Sequence, residues 1–155
     1  MNAQYVIRRL RAGTPEMQTV RELDRALFPF DKVVKLDRGT WWLVYDRQTH
    51  AAVGFAGLAV RGRWGALVRA GVLPCARGEG LHPRLIAVRL AAARRLGLGG
   101  VTTYTTTDNS PSANNLIDAG FRLGRQRRGK RFLEWRLRLS EEHRDDPARR
   151  QAQKQ

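Results

Sequence analysis

Apolar positions along this chain alternate between two periods, and the switches between them mark out the elements. Tyr5, Ile7 and Leu10 within 4–11 predict a short first strand. Thr14-Pro15-Glu16 reads as a helix start, with a hydroxyl cap, proline at the first helical position and an acid in the first turn. Met17, Val20, Leu23, Ala26 and Leu27 then recur at helical spacing, so this helix lays one face on a sheet and ends at Phe28-Pro29-Phe30-Asp31. The following stretch, 32–39, is polar and weakly patterned. Residues 41–45 and 52–58 read as two antiparallel strands joined by a turn over 46–50. A second tight turn, 61–65, leads into an apolar run over 65–73 that predicts a buried strand.

A helix is expected from His82 to Leu96, with Leu85, Ile86, Leu90, Ala92, Ala93 and Leu96 on one broad stripe. Arg89 falls in that stripe, and snorkelling at its edge would keep its charge in water. Glycines at 97, 99 and 100 end the helix. The β-branched run 101–107 is a strand, with Tyr104 at its middle. Asp108-Asn109-Ser110-Pro111 starts another helix that runs into Gly120-Phe121. Stretches 121–128 and 130–139 form a closing hairpin turning near Gly129. From Ser140 onward no apolar period remains, which predicts a single domain over 1–139 and a disordered tail over 140–155.

Composition narrows the class. At 155 residues the chain can bury a real core. Nothing resembles a signal peptide or a membrane span. The single cysteine, Cys75, rules out an internal disulfide and fits a reducing, cytoplasmic setting. Cys75 and the histidines are too scattered for a metal site, so no metal is expected. The net charge is +15 and belongs to the region before Glu141. Two readings compete for it: attraction to nucleic acid or an anionic substrate, or an arginine-rich composition with no ligand behind it.

The stretch between the buried strand and the long helix carries the candidate chemistry. Val72-Leu73-Pro74 stops the strand, and Arg77-Gly78-Glu79-Gly80-Leu81-His82 leads into the helix. Glycines here free backbone N–H groups, and a helix start adds its own unpaired N–H groups and positive dipole end. Such a place binds an anion, typically phosphate or pyrophosphate. Neither the P-loop nor the dinucleotide fingerprint fits these glycines.

What stands here, Val72-x-Pro74 followed by Arg77-x-x-Gly80, resembles the acyl-CoA pyrophosphate loop of GNAT-type N-acetyltransferases. In that family the position of His82 is held by a small residue, so the imidazole is expected to turn away from the pyrophosphate. A second segment, Asn109-x-x-Ser112-x-x-Asn115-Leu116-x-x-x-Gly120-Phe121, is similar to a later family segment at the right distance. The resemblance covers 40–139.

It implies an α/β (α+β) fold: a mixed, mostly antiparallel sheet of about seven strands, a splayed parallel pair ending near Leu73 and Thr107, and helices on both faces. Acetyl-CoA would sit in the splay as co-substrate. Backbone groups of Val72 and Leu73 would meet the acyl and pantetheine part, and one of their N–H groups would stabilise the oxyanion. Amides of Arg77, Gly78, Glu79, Gly80, Leu81 and His82 would hold the pyrophosphate. Asn109, Ser112 and Asn115 would hydrogen-bond the pantetheine arm or its phosphates; for Asn109 and Ser112, helix capping is the plain alternative.

The implied reaction is direct attack of a primary amine on the thioester, which needs a base for the amine and an acid for the thiolate. Many relatives carry a tyrosine where this chain has Leu116. Tyr104 is the substitute acid if it faces the cleft, against packing in the core. Asp31 is the favoured base, ahead of Asp24; His82 through water, and Cys75 in a covalent route, rank lower. Two further classes stay open. Arg122, Arg125, Arg127, Arg128, Lys130, Arg131, Arg136 and Arg138, with Phe132 and Trp135 between them, make the hairpin 122–138 a candidate surface for nucleic acid or another acidic partner. Charge that merely protects an edge strand explains the same pattern. A CoA-binding pseudoenzyme is the other class. The family resemblance also raises a homodimer, by analogy of fold alone.

Overall fold

The structure is a computed structural model that describes residues 3–126, 129 and 131–139. The tail expected over 140–155, and Arg127, Arg128 and Lys130 of the hairpin, lie outside the described residues.

Seven strands form one sheet: β1 (Tyr5–Arg9), β2 (Thr40–Asp46), β3 (Ala52–Arg61), β4 (Trp64–Val72), β5 (Gly100–Thr106), β6 (Arg122–Leu123) and β7 (Phe132–Arg138). Their order across the sheet is β1-β2-β3-β4-β5-β7-β6. All neighbours are antiparallel except β4 and β5, the one parallel pair. Three helices, α1 (Glu16–Leu27), α2 (Leu81–Arg95) and α3 (Ser110–Asp118), cover the two faces. This is the mixed, mostly antiparallel sheet with one parallel pair that the resemblance implies.

Strand period decides which helix each side chain meets. Trp41, Leu43 and Phe55 point to one face, where Val20 and Leu23 of α1 pack on them. Trp42, Leu58, Leu67, Val101 and Trp135 point to the other, against Ile86, Leu90 and Ala93 of α2 and Leu116 of α3. Of the α1 stripe read from sequence, Val20 and Leu23 are buried, Met17 and Leu27 are half-buried against the sheet, and Ala26 is exposed.

Three local expectations are corrected. Thr14 does not cap α1: its hydroxyl donates to the Arg11 carbonyl at 2.8 Å, and Pro15 stands at the cap position. The first strand of the closing hairpin shrinks to Arg122–Leu123, because the Gln126 side-chain amide donates to the carbonyls of Gly124 and Glu134 where a ladder would have continued. Arg89 does not snorkel; only 4% of its surface is exposed. Among the described residues no helix is long and apolar enough to cross a membrane.

Candidate active site

The site begins as a fault in the β3–β4 ladder. Ala56 pairs with Ala70 but Gly57 pairs with Val68, which leaves Arg69 as an extra residue on β4. A bulge of this kind bends its strand and sharpens the twist. β4 and β5 pair only over Trp64–Ala66 and Gly100–Thr102, then part. Where they separate, the Thr103 hydroxyl still donates to the Leu67 carbonyl at 3.2 Å. Beyond that lies a cleft of about 530 Å³ that passes through the sheet. Its lining comes from both faces: His82, Ile86, Arg89, Asn109, Ser112 and Asn115 on the α2–α3 side, and Phe28, Asp31, Lys32, Arg69, Tyr104 and Phe132 on the α1 side.

On the α2–α3 side, Leu73 N–H donates to the Val53 carbonyl at 2.7 Å. That fixes Leu73 and Val53 as a hydrogen-bonded pair, so the adjacent pair, Val72 opposite Gly54, turns its N–H and C=O groups away from the shared ladder. The Val72 groups thus face the splay, and its carbonyl accepts from Arg77 Nε at 3.2 Å. Of the two oxyanion donors considered, Leu73 is committed to the ladder and Val72 is not.

A single 3-10 turn, Pro74–Ala76, follows, and Arg77 N–H donates to the Pro74 carbonyl at 3.3 Å, which takes this amide out of the expected anion set. Gly78 and Gly80 both sit at positive φ, 77° and 72°. A Cβ at Gly80 would meet no protein atom within 4 Å, so the space in front of α2 is open. No side chain caps α2, and its first-turn N–H groups point into that space.

His82, Ile86 and Arg89 are spaced i, i+4, i+7, one stripe of α2, and that stripe faces the cleft while Leu81 and Leu85 pack beneath β1 to β4. Burial, then the nearby Arg89 and Arg77 charges, hold the His82 imidazole below its ordinary range. Asn109 caps α3, its Oδ1 accepting from Ser112 N–H at 3.2 Å, while both residues also line the cleft beside Asn115.

Arg89 is the residue that sequence reasoning misplaced most. Its guanidinium donates to the carbonyls of Leu85 (3.0 Å), Gly57 (3.3 Å) and Val68 (3.4 Å). Two of those carbonyls flank the register shift at the bulge, so the arginine ties α2 to the distorted strands. Burial alone pushes its pKa down to about 9, which leaves it charged at neutral pH.

On the α1 side Arg69 organises the segment that follows α1. Its Nη1 donates to Asp31 Oδ2 at 2.6 Å and its Nη2 to the Lys32 carbonyl at 2.7 Å. Its Nε lies 2.9 Å from Asp24 Oδ1, an ion pair not aligned as a hydrogen bond, and its guanidinium stacks 4.6 Å over the Phe28 ring. Asp31 therefore stands at the cleft with one carboxylate oxygen engaged, while Asp24 is buried behind it. Tyr104 is 57% exposed and lines the same side, so it is not a core tyrosine. Cys75 is exposed on the 3-10 turn and does not line the cleft. The role of Arg69 escaped the sequence because a bulge turns a mid-strand residue toward a loop 38 positions away.

Comparison with known proteins gives a consistent result. A profile described as "Acetyltransferase (GNAT) family" matches residues 5–121. No curated protein matches the chain. Among solved structures, the ribosomal-protein-S18-alanine N-acetyltransferase of Escherichia coli is similar with a TM-score of 0.72 at 14% identity, covering 88% of this chain and 94% of that one. A Bacillus subtilis acetyltransferase in complex with CoA gives 0.71 at 16% identity, over 88% and 99% of the two chains. A GNAT family acetyltransferase from Elizabethkingia anophelis with acetyl-CoA bound gives 0.72 at 14%, over 88% and 99%. At these identities the likeness is one of fold.

Proposed function

Because the chain belongs to the acetyltransferase (GNAT) family, we propose that it transfers the acetyl group of acetyl-CoA to a primary amine by direct attack, with the two substrates meeting inside the β4–β5 cleft. The observation that carries this reading is that the cleft is lined from both faces of the sheet, with His82 and Arg89 of α2 on one side and Asp31, Tyr104 and Phe132 on the other. Acetyl-CoA supplies a thioester whose carbonyl is open to a nucleophile. The residues of the chain bind, orient and hold charge around it.

At the α2–α3 mouth, the amides of Gly78 to His82 and the positive end of α2 suit a pyrophosphate. Asn109, Ser112 and Asn115 suit the polar pantetheine arm. Val72 N–H is the donor assigned to the oxyanion of the tetrahedral intermediate, where one well-placed donor is worth roughly 10²–10³ in rate. At the α1 mouth, Asp31 is assigned to the acceptor amine, holding the ammonium and receiving its proton. Tyr104 is assigned as the acid that protonates the departing CoA thiolate as the carbon–sulfur bond breaks.

The test is release of free CoA thiol from acetyl-CoA across a panel of primary amines. The reading expects release that depends on an amine. Bound acetyl-CoA that gives no amine-dependent release with any member of the panel would contradict transfer.

A further inference from the structure

Among the described residues, the α1 face of the sheet is only half covered. α1 packs on β3 and β4, while the even-numbered side chains of β5 and β7 point to the same face beyond it, with Tyr104, Phe132, Arg136 and Arg138 exposed. Trp64 marks the boundary: its ring lies over Gly100, where a Cβ would fall 2.5 Å from it, and the Arg136 guanidinium sits 5.8 Å above that ring. Register then sets the pattern of the open half. Phe132 is opposite Thr106, Glu134 opposite Tyr104, Arg136 opposite Thr102, Arg138 opposite Gly100, and Arg122 opposite Arg136 on the far side. Arg61, paired with Trp64, adds a cation at the same end. Tyr104 and Phe132 are 57% and 54% exposed. Glu134, the acid on this half-face, is bound to Arg136.

We propose that this open half-face binds single-stranded nucleic acid, with bases stacked on Tyr104 and Phe132 and phosphates held by Arg122, Arg136 and Arg138. Tyr104 and Phe132 are diagonal cross-strand neighbours, about 7–8 Å apart, a spacing that offers two rings to successive unstacked bases. β7 spans roughly 20 Å from the aromatic end to the basic end, enough for the several nucleotides of a small sheet-borne site. Aromatic rings alone would suit many apolar partners, and arginines alone any polyanion. Their combination on an uncovered sheet selects a chain with both π-faces and phosphates. A second copy is disfavoured, because it would bring the same arginines against one another. The surface shares Tyr104 and Phe132 with the α1 mouth of the cleft, while Arg122, Arg136 and Arg138 do not line the cleft.

Fluorescence anisotropy of a labelled oligothymidylate of about 12 nucleotides, titrated with the full chain at several salt concentrations, tests the proposal. Wild type is expected to bind with a steep salt dependence. The double variant Arg136→Gln/Arg138→Gln is expected to flatten the slope of log K against log salt by about 1.4, the share of two phosphate contacts to a single strand. Phe132→Ala is expected to weaken the single strand at least ~5-fold, as loss of one stacked base does, and to leave a duplex of the same length unaffected. Acetyl-CoA titration and thermal melting of the arginine variant report whether the fold and the cleft are intact. Wild-type affinity and slope in both variants would overturn the proposal, as would equal binding of duplex and single strand. A dimer in sedimentation that the arginine variant dissociates would assign the face to a second copy instead.

Discussion

His82 stands in the first turn of α2, and the helix carries its imidazole to the cleft. Burial, with Arg89 and Arg77 nearby, depresses its pKa below the ordinary 6.5. As pH falls, the unfolded chain binds a proton before the folded chain does. The stability contributed by the neutral imidazole is therefore present above about pH 6.5 and lost as pH drops through the folded value. Thermal melts of His82→Gln are expected to change less than those of wild type between about pH 7 and 5; parallel profiles would contradict a buried neutral His82. Sequence spacing alone could have placed His82, since it stands i, i+4, i+7 with Ile86 and Arg89 on the helix. The burial of Arg89 could not be read that way. It depends on carbonyls of Gly57 and Val68 at a bulge, and a bulge leaves no mark in the hydrophobic period of either strand.

Among the elements, the segment after α1 is the least patterned in sequence and the most dependent on one side chain. Arg69 holds Asp24 of α1, the Phe28 ring, Asp31 and the Lys32 carbonyl to β4. Arg69→Ala would leave Asp24, 5% exposed, without its cation, and is expected to cost about 3 kcal/mol in urea unfolding. A loss below about 0.5 kcal/mol, the range of an ordinary surface change, would contradict this account of the segment. The regular elements were legible because their apolar residues recur at 3.6 or 2 positions. The second strand of the hairpin was legible for the same reason, and its first strand was not. Gln126, a polar residue without periodic signature, replaces backbone pairing with its side-chain amide there.

At the scale of the molecule, one irregularity in the β3–β4 ladder and one short parallel pairing open the sheet between β4 and β5. The order of motifs, Val72-x-Pro74, Arg77-x-x-Gly80 and Asn109-x-x-Ser112, made this architecture readable from the chain, since each motif ends a strand or starts a helix beside the splay. The α1 side of the cleft carried no such motif, and its residues come together only through the fold. In the proposed reaction the glycine turn and the start of α2 cradle acetyl-CoA. Gly80 is a discriminating position, because a side chain there would enter the open space before the helix and not the protein core. Calorimetric titration of acetyl-CoA at near-physiological salt, with Gly80→Trp as comparison and its melting curve as a folding control, tests the claim directly. The account predicts micromolar binding by the wild type, lost in a folded Gly80→Trp. No binding by the wild type, or unchanged binding by the variant, would contradict it.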